Sequence, residues 1–210
     1  MHPTWIFDLD NTLHNANHAI FPRIDLRMTL YIMQHLGLDE TAARALRQQY
    51  YQRFGATLRG MMRYHSVDPV HFLRETHRTE ELLPLLVWDH QVSGILRQLP
   101  GKKIMLSNGP QNYVEHISDR LGITRHFAAL YGVEKVAYQP KPLRHAFQTV
   151  LARERLDARR CIMVEDSLEN LRTARTLGMK TVWLSPSPRR PHWVDFHIRT
   201  LSELRRLTLR

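Results

Sequence analysis

One cysteine, Cys161, stands among 210 residues, so the chain cannot close a disulfide on itself, which fits a reducing compartment. It falls in an apolar run and reads as a small buried hydrophobe. Long apolar stretches are missing as well. None approaches the roughly 20 residues of a membrane span, and no basic segment leads into an apolar one of signal-peptide length at the N-terminus. A cytoplasmic protein with no membrane partner is the expectation. Acidic residues are scarce, 20 against 30 Lys plus Arg, for a formal charge of +10. Such an excess draws anions, but the arginines are scattered. Only Arg189-Arg190 and Arg205-Arg206 cluster, without a Gly- or aromatic-rich nucleic-acid motif, which points to a solvated basic surface. There is no internal repeat, and the Pro-rich stretch from Ser185 to Pro191 is short enough for one loop.

What is present starts at Trp5-Ile6-Phe7-Asp8-Leu9-Asp10-Asn11-Thr12-Leu13. Trp5 to Phe7 suit a short buried strand. Residues two apart on a strand face the same way, so Asp8 and Asp10 should converge past its carboxyl end, where open α/β sheets bind ligands. Two neighbouring carboxylates repel each other unless a cation bridges them or one holds a proton, and both arrangements serve catalysis.

From Asn15 to about Leu86 apolar residues recur at three- and four-residue spacing, as in Leu26, Leu30, Met33 and Leu36, which predicts helices. Gly37 has the place of a helix C-cap, Asp39 of the next N-cap, and Ser66-Val67-Asp68-Pro69 of a break and a new start. Beyond it, buried strands are predicted at Lys103–Leu106, Ala129–Gly132, Cys161–Val164 and Thr181–Leu184, with helical patterns between them. One runs through Val114, Ile117 and Leu121 to Gly122, and another carries Phe147, Val150 and Leu151. Such alternation predicts an α/β fold with a Rossmann-like, doubly wound parallel sheet. With 43% hydrophobic residues the chain can bury one good core and a smaller appendage. We expect a core of residues 1–14 and 87–210 and a small helical cap, residues 15–86, inserted after the first strand.

The polar residues ending these strands, or in the loop after one, are Asp8, Asp10 and Thr12, then Ser107 and Asn108, Lys141, and Glu165, Asp166 and Asn170. They form an inventory for phosphoryl transfer, which needs a nucleophile, a cation for the phosphate charge, donors for its oxygens and an acid for the leaving group. In this order and spacing the D-x-D-x-T segment, Ser107-Asn108-Gly109, Lys141-Pro142 and the E-D-S-x-x-N segment resemble the motifs of the haloacid dehalogenase superfamily of phosphatases, over essentially the whole chain. The resemblance implies that Asp8 is the nucleophile, forming an aspartyl-phosphate. Asp10 would protonate the leaving oxygen and then deprotonate water, its backbone carbonyl binding Mg²⁺, while Thr12 braces the loop. Ser107 and the amides of Asn108 and Gly109 would hold phosphate oxygens, and Lys141 would neutralise Asp8 and the phosphate. Asp166 would complete the metal site and Glu165 would support it through water, and hard oxygen ligands suit Mg²⁺ better than zinc. Dehalogenases of the superfamily lack the second aspartate, since a halide leaves without a proton, so Asp10 implies phosphate chemistry. Many relatives carry another aspartate where this chain has Asn170.

The placement of the helical insertion is that of the superfamily's small caps, which close over the site and supply specificity. Phe54-Gly55-Ala56-Thr57-Leu58-Arg59-Gly60-Met61 and His65-Ser66-Val67-Asp68-Pro69, together with Asp8-Leu9-Asp10-Asn11-Thr12-Leu13, resemble the pyrimidine 5′-nucleotidase branch. That likeness implies a nucleoside 5′-monophosphate, with Tyr51, Thr57, Arg59 and His65 near it. An aromatic ring can stack on a base, and arginine can bond a carbonyl or attract phosphate. His14 and His18 are candidates for substrate contact at the cap hinge. Two alternatives stand beside this one: a phosphatase or phosphomutase for a small sugar phosphate on the same core, and a basic nucleic-acid-binding protein with an unused core.

Overall fold

Strand β1, Thr4–Phe7, is the centre of the computed structural model, which describes residues 2–207. Residue 1 and residues 208–210, the ends of the expected core, lie outside the described residues. On one side β1 pairs with β2 (Lys103–Leu106), and β2 with β3 (Ala129–Tyr131); on the other it pairs with β4 (Cys161–Glu165), then β5 (Lys180–Leu184) and β6 (Phe196–Ile198). Every pairing is parallel, in the order β3-β2-β1-β4-β5-β6. The chain leaves β1 toward β2 and later crosses to β4 on the far side, so β1 ends at the switch point where such sheets open a crevice. Register does the rest. Phe7 lies opposite both Met105 and Val164, and one residue further on Asp8, Leu106 and Glu165 stand level at the carboxyl edge.

Alternate residues of each strand feed two apolar layers, as a sheet covered on both faces requires. Trp5, Phe7, Met105, Ile162 and Val164 pack with helices α6 (Val92–Gln98) and α7 (Gln111–Arg120). Ile6, Ile104, Leu106, Cys161 and Met163 pack with α8 (Arg144–Arg153) and α9 (Leu168–Thr176). Cys161 is a buried free thiol. The doubly wound parallel sheet is the architecture expected. The sheet does not stop at Thr181–Leu184, however. Phe196–Ile198 adds an edge strand, a three-residue piece beyond the Pro-rich loop and too short to show an alternation.

Between β1 and α6 lie α1 (Ile20–Leu36), α2 (Glu40–Phe54), α3 (Thr57–His65), α4 (Pro69–Thr76) and α5 (Thr79–Leu82). The punctuation falls where the residues predict it. Gly37 closes α1 at φ 64°, the Asp39 carboxylate accepts from Ala42 N at 2.8 Å, and Asp68 accepts from Val70 N and His71 N, each at 3.2 Å, with Pro69 in the first turn. Helical spacing alone does not say which face of α1 is buried. Leu26 and Leu30 are 40% and 37% exposed, whereas Ile20, Ile24, Tyr31 and Ile32 are buried. Ile20, Ile24 and Leu82 belong to the same apolar layer as Trp5 and Phe7, while Tyr50, Leu58, Met61 and Phe72 belong to the layer of Ile6. No helix among the described residues is long and apolar enough to cross a membrane.

Candidate active site

Four loops at the carboxyl edge of the sheet supply the site. After β1 the chain turns at once: Leu13 N bonds Leu9 O at 2.8 Å, and Asn11 takes the left-handed conformation at φ 60°, a region asparagine tolerates better than most residues. Its side-chain oxygen accepts from Asn17 N at 2.9 Å, which ties the turn to the approach of α1. The loop after β2 is held to the loop of Lys141 by a two-way bond: Asn108 Nδ2 donates to Lys141 O at 2.9 Å and Lys141 N donates to Asn108 Oδ1 at 2.8 Å. Asn108 thereby delivers Lys141 to the end of β1.

Lys141 is buried, and its ammonium donates to Asp8 Oδ1 at 2.6 Å and Glu165 Oε2 at 2.7 Å. Glu165 is further held by Asn170 Nδ2 at 3.0 Å and Ser167 N at 3.2 Å. Asn170, the departure from the family pattern, thus orients Glu165. Burial pushes the Asp8 carboxyl up, Glu165 adds to the effect and Lys141 opposes it, leaving it about 7. Glu165, raised first by burial and pulled back by Lys141, also reaches about 7, and burial raises Asp166. Burial opposes the charge of Lys141, but Asp8 and Glu165 more than compensate and raise it.

Carboxylate oxygens of Asp8, Glu165 and Asp166 lie within 4.8 Å of one another. Three carboxylates against one ammonium leave two negative charges uncompensated when all are ionised. All-oxygen donors with that deficit fit a hard divalent cation. The side chain of Asp10 is not in this cluster. Its Oδ1 takes the Tyr113 hydroxyl at 2.5 Å and His14 Nε2 at 3.0 Å, and its Oδ2 lies 3.4 Å from Ser107 Oγ. Burial acts to raise Asp10, but the bonds and charge of His14 and the Tyr113 bond outweigh it and hold the carboxyl below the usual range. Ser107 Oγ also accepts from Gly109 N at 3.0 Å.

A cavity of about 820 Å³ opens over Asp8, Asp10, Lys141, Glu165 and Asp166, walled by Tyr51, Phe54 and Arg59. A second, of about 530 Å³, adjoins it through Phe21, Tyr51, Arg59 and Asn108, and reaches Thr57, His77, Gly109 and Tyr113. Of the residues expected to meet substrate, Tyr51 and Arg59 therefore border both spaces. Thr57 is buried and bonds Arg47 O at 3.2 Å, at the rim of the second. His65 lines neither, its Nε2 being paired with Tyr50 OH at 2.7 Å. Thr12 is buried, its hydroxyl without a partner. His14 points back onto Asp10 and His18 is exposed, so neither borders the cavities. Tyr113 and His77 were not legible as site residues. A tyrosine in the first turn of the helix after Ser107-Asn108-Gly109 was the available signal.

A family model for haloacid dehalogenase-like hydrolases matches residues 3–178. Among curated proteins, Phosphate metabolism protein 8 of Saccharomyces cerevisiae is 24% identical over 193 residues, which cover 83% of this chain and 59% of that protein. The chain thus spans less than two thirds of that relative's length. Among solved structures, a HAD phosphatase from Thermococcus onnurineus superposes with a TM-score of 0.67 at 24% identity, covering 98% of this chain and 97% of that one. The putative HAD-hydrolase YfnB from Bacillus subtilis, bound to magnesium, gives 0.66 at 17% identity over 97% and 96% of the two chains. At such identities the likeness carries the fold, whereas the family model spans Asp8, Asp10, Ser107, Lys141, Glu165 and Asp166 together. This chain belongs to the haloacid dehalogenase-like hydrolases.

Proposed function

We propose that the chain is a Mg²⁺-dependent phosphomonoesterase that works through an aspartyl-phosphate and takes a pyrimidine nucleoside 5′-monophosphate. The observation that supports this most is the separation of partners around the two aspartates. Asp8 is paired with the Lys141 ammonium, while Asp10, on the same cavity, is held by a hydroxyl and an imidazole. The first arrangement suits a nucleophile that must approach an anion; the second fixes in place a carboxylate that its donors keep ionised until the approach of an anionic phosphoryl group favours its protonation, after which it can serve the leaving oxygen.

In the first step an Asp8 carboxylate oxygen bonds to phosphorus, the bond from phosphorus to the leaving oxygen breaks, and Asp10 passes its proton to that oxygen. In the second, water bonds to phosphorus and gives a proton to Asp10, the bond to Asp8 breaks, and orthophosphate departs. Lys141 offsets charge on Asp8 and on the phosphoryl group. Ser107 and the amides of Asn108 and Gly109 donate to its oxygens, Gly109 N exchanging its present bond to Ser107 for one to phosphate. Asp8, Glu165 and Asp166, with the Asp10 carbonyl, would hold Mg²⁺, whose charge when bound lets a carboxylate meet an anionic phosphoryl group. Magnesium in the YfnB structure agrees with that choice of metal.

The cap side of the cavities favours a flat leaving group. Phe21, Tyr51 and Phe54 contribute aromatic side chains to the lining, and Arg59 stands beside them with its guanidinium 6.0 Å from the Phe54 ring centre. A base stacks on such rings and accepts from arginine; a small sugar phosphate would leave those walls uncovered. Steady-state hydrolysis of UMP, CMP and a panel of sugar phosphates, with Mg²⁺ and with chelator, tests the reading. Turnover of UMP and CMP that disappears with chelator is expected. Rapid sugar-phosphate turnover beside negligible nucleotide turnover would overturn the substrate, and no turnover of any ester would overturn the reaction.

A further inference from the structure

Asp10 is held by more than a general acid needs. Its Oδ1 receives two groups, the Tyr113 hydroxyl at 2.5 Å and His14 Nε2 at 3.0 Å, and both side chains are buried. They arrive from different parts of the chain. His14 comes from the same turn, four residues on, folded back so that Asp10 and His14 also form a backbone bridge. Tyr113 comes from the first turn of α7, on the other side of β2. The placement of Tyr113 is itself tightly determined. A Cβ on Gly109 would sit 2.7 Å from the Tyr113 ring, so only glycine there lets the ring come so close. Beside the ring stands His77, between α4 and α5, with its ring centre 6.0 Å away and its plane at 70°. His77 is buried, and its Nδ1 is bonded to Thr76 Oγ1 at 2.9 Å. The hydroxyl is thereby carried to Asp10 Oδ1 at 2.5 Å, with His14 Nε2 farther off at 3.5 Å.

Resting on the phosphatase reading above, we propose that Tyr113 and His14 are positioning residues that immobilise Oδ1 of Asp10 and leave Oδ2, on the Ser107 side, as the oxygen that gives the proton to the leaving group. A carboxyl tied at one oxygen cannot rotate about its last bond without breaking two hydrogen bonds. The oxygen that is to carry the proton is thereby kept beside Ser107, where the phosphoryl group is to be held, before substrate arrives. Such pre-organisation acts on the proton-transfer step and not on phosphate binding. The requirement is felt only when the leaving group needs a proton. An alkoxide such as the 5′-oxygen of a nucleoside does; 4-nitrophenolate departs without one.

Single-turnover release of the leaving group, with enzyme in excess and Mg²⁺ present, isolates the first step. The wild-type protein, Tyr113→Phe, His14→Leu and His14→Gln are each mixed with UMP and with 4-nitrophenyl phosphate. Phenylalanine keeps the ring that packs on Gly109 and His77, and glutamine can return an amide nitrogen to the place of Nε2. For Tyr113→Phe and His14→Leu, uridine release falls by about tenfold to a hundredfold while 4-nitrophenolate release stays within about threefold of wild type. His14→Gln recovers most of the uridine rate. The 4-nitrophenolate rate also reports that each variant is folded. Equal losses on both esters, or no loss on UMP, would overturn the positioning role. A wild-type protein that releases 4-nitrophenolate but not uridine removes the nucleotide substrate, and the same comparison is then made with whichever alkyl ester it hydrolyses. Wild-type protein inert toward every ester removes the phosphatase reading itself, and the positioning role with it.

Discussion

Two aspartates one residue apart end up in different electrostatic settings, and the difference lies in which loop reaches each of them. Lys141 meets Asp8 and Glu165, and Tyr113 with His14 meets Asp10. Asp10→Asn removes the proton donor but neither the Asp8–Lys141 pair nor the acidic cluster. Turnover of an alkyl monoester is expected to fall about 10²- to 10⁴-fold with little change in KM, checked by steady-state kinetics; full retention of activity would remove Asp10 from the chemistry. A second residue-scale outcome concerns His77. Burial depresses its imidazole to about 4, despite the nearby Asp10 charge, against an ordinary 6.5. Between those values the unfolded chain binds a proton that the folded chain does not. Its contribution is complete above about pH 6.5 and is lost as pH falls toward 4, by up to about 3 kcal/mol. Urea unfolding from pH 7 to pH 4.5 is expected to show a shallower acid loss in His77→Phe than in wild type. The catalytic residues were legible because each chemical type sits at a strand end with a turn after it. Tyr113 and His77 were not, because Tyr113 reaches Asp10 across 103 residues and His77 packs on Tyr113 from the helical segment, pairings that no local pattern reveals.

Helices α2 and α3 show how a single residue sets an element pair. A Cβ on Gly60 would stand 2.1 Å from the ring of Tyr50, a ring that is buried and bonded to His65, so it cannot swing away freely. Gly60→Ala is expected to cost about 1–3 kcal/mol by overpacking, despite alanine's better helix propensity. A raised thermal midpoint would contradict the packing. The elements themselves were readable from apolar runs and caps, as Gly37, Asp39 and Asp68 illustrate. Two things at this scale were not. Strand β6 has three residues and one neighbour, and its place depends on pairing with β5. The buried face of α1 is set by what lies beneath it. In the row Leu26, Leu30, Met33 and Leu36 the first two are exposed and the last two pack against the layer of Ile6, while Ile20, Ile24 and Ile32 are buried.

On the scale of the whole molecule, a chain with 30 basic and 20 acidic residues concentrates three carboxylates at one point beneath a cavity. That concentration is unfavourable without a cation, so metal binding should stabilise the fold. Adding Mg²⁺ to about a hundred times its dissociation constant is expected to contribute about 2.7 kcal/mol, read as a rise in thermal midpoint that Asp166→Asn abolishes. The same rise in that variant would place the metal elsewhere. The doubly wound sheet brings residues from both ends of the chain to the end of β1, and the account depends on Asp8 taking the phosphoryl group there. Rapid acid quench of the enzyme during turnover, followed by borohydride reduction and peptide mass spectrometry, reads that event directly. An acyl phosphate on Asp8 reduces to homoserine at position 8, the result expected here; unmodified aspartate at that position during active turnover, or homoserine at another, would contradict it.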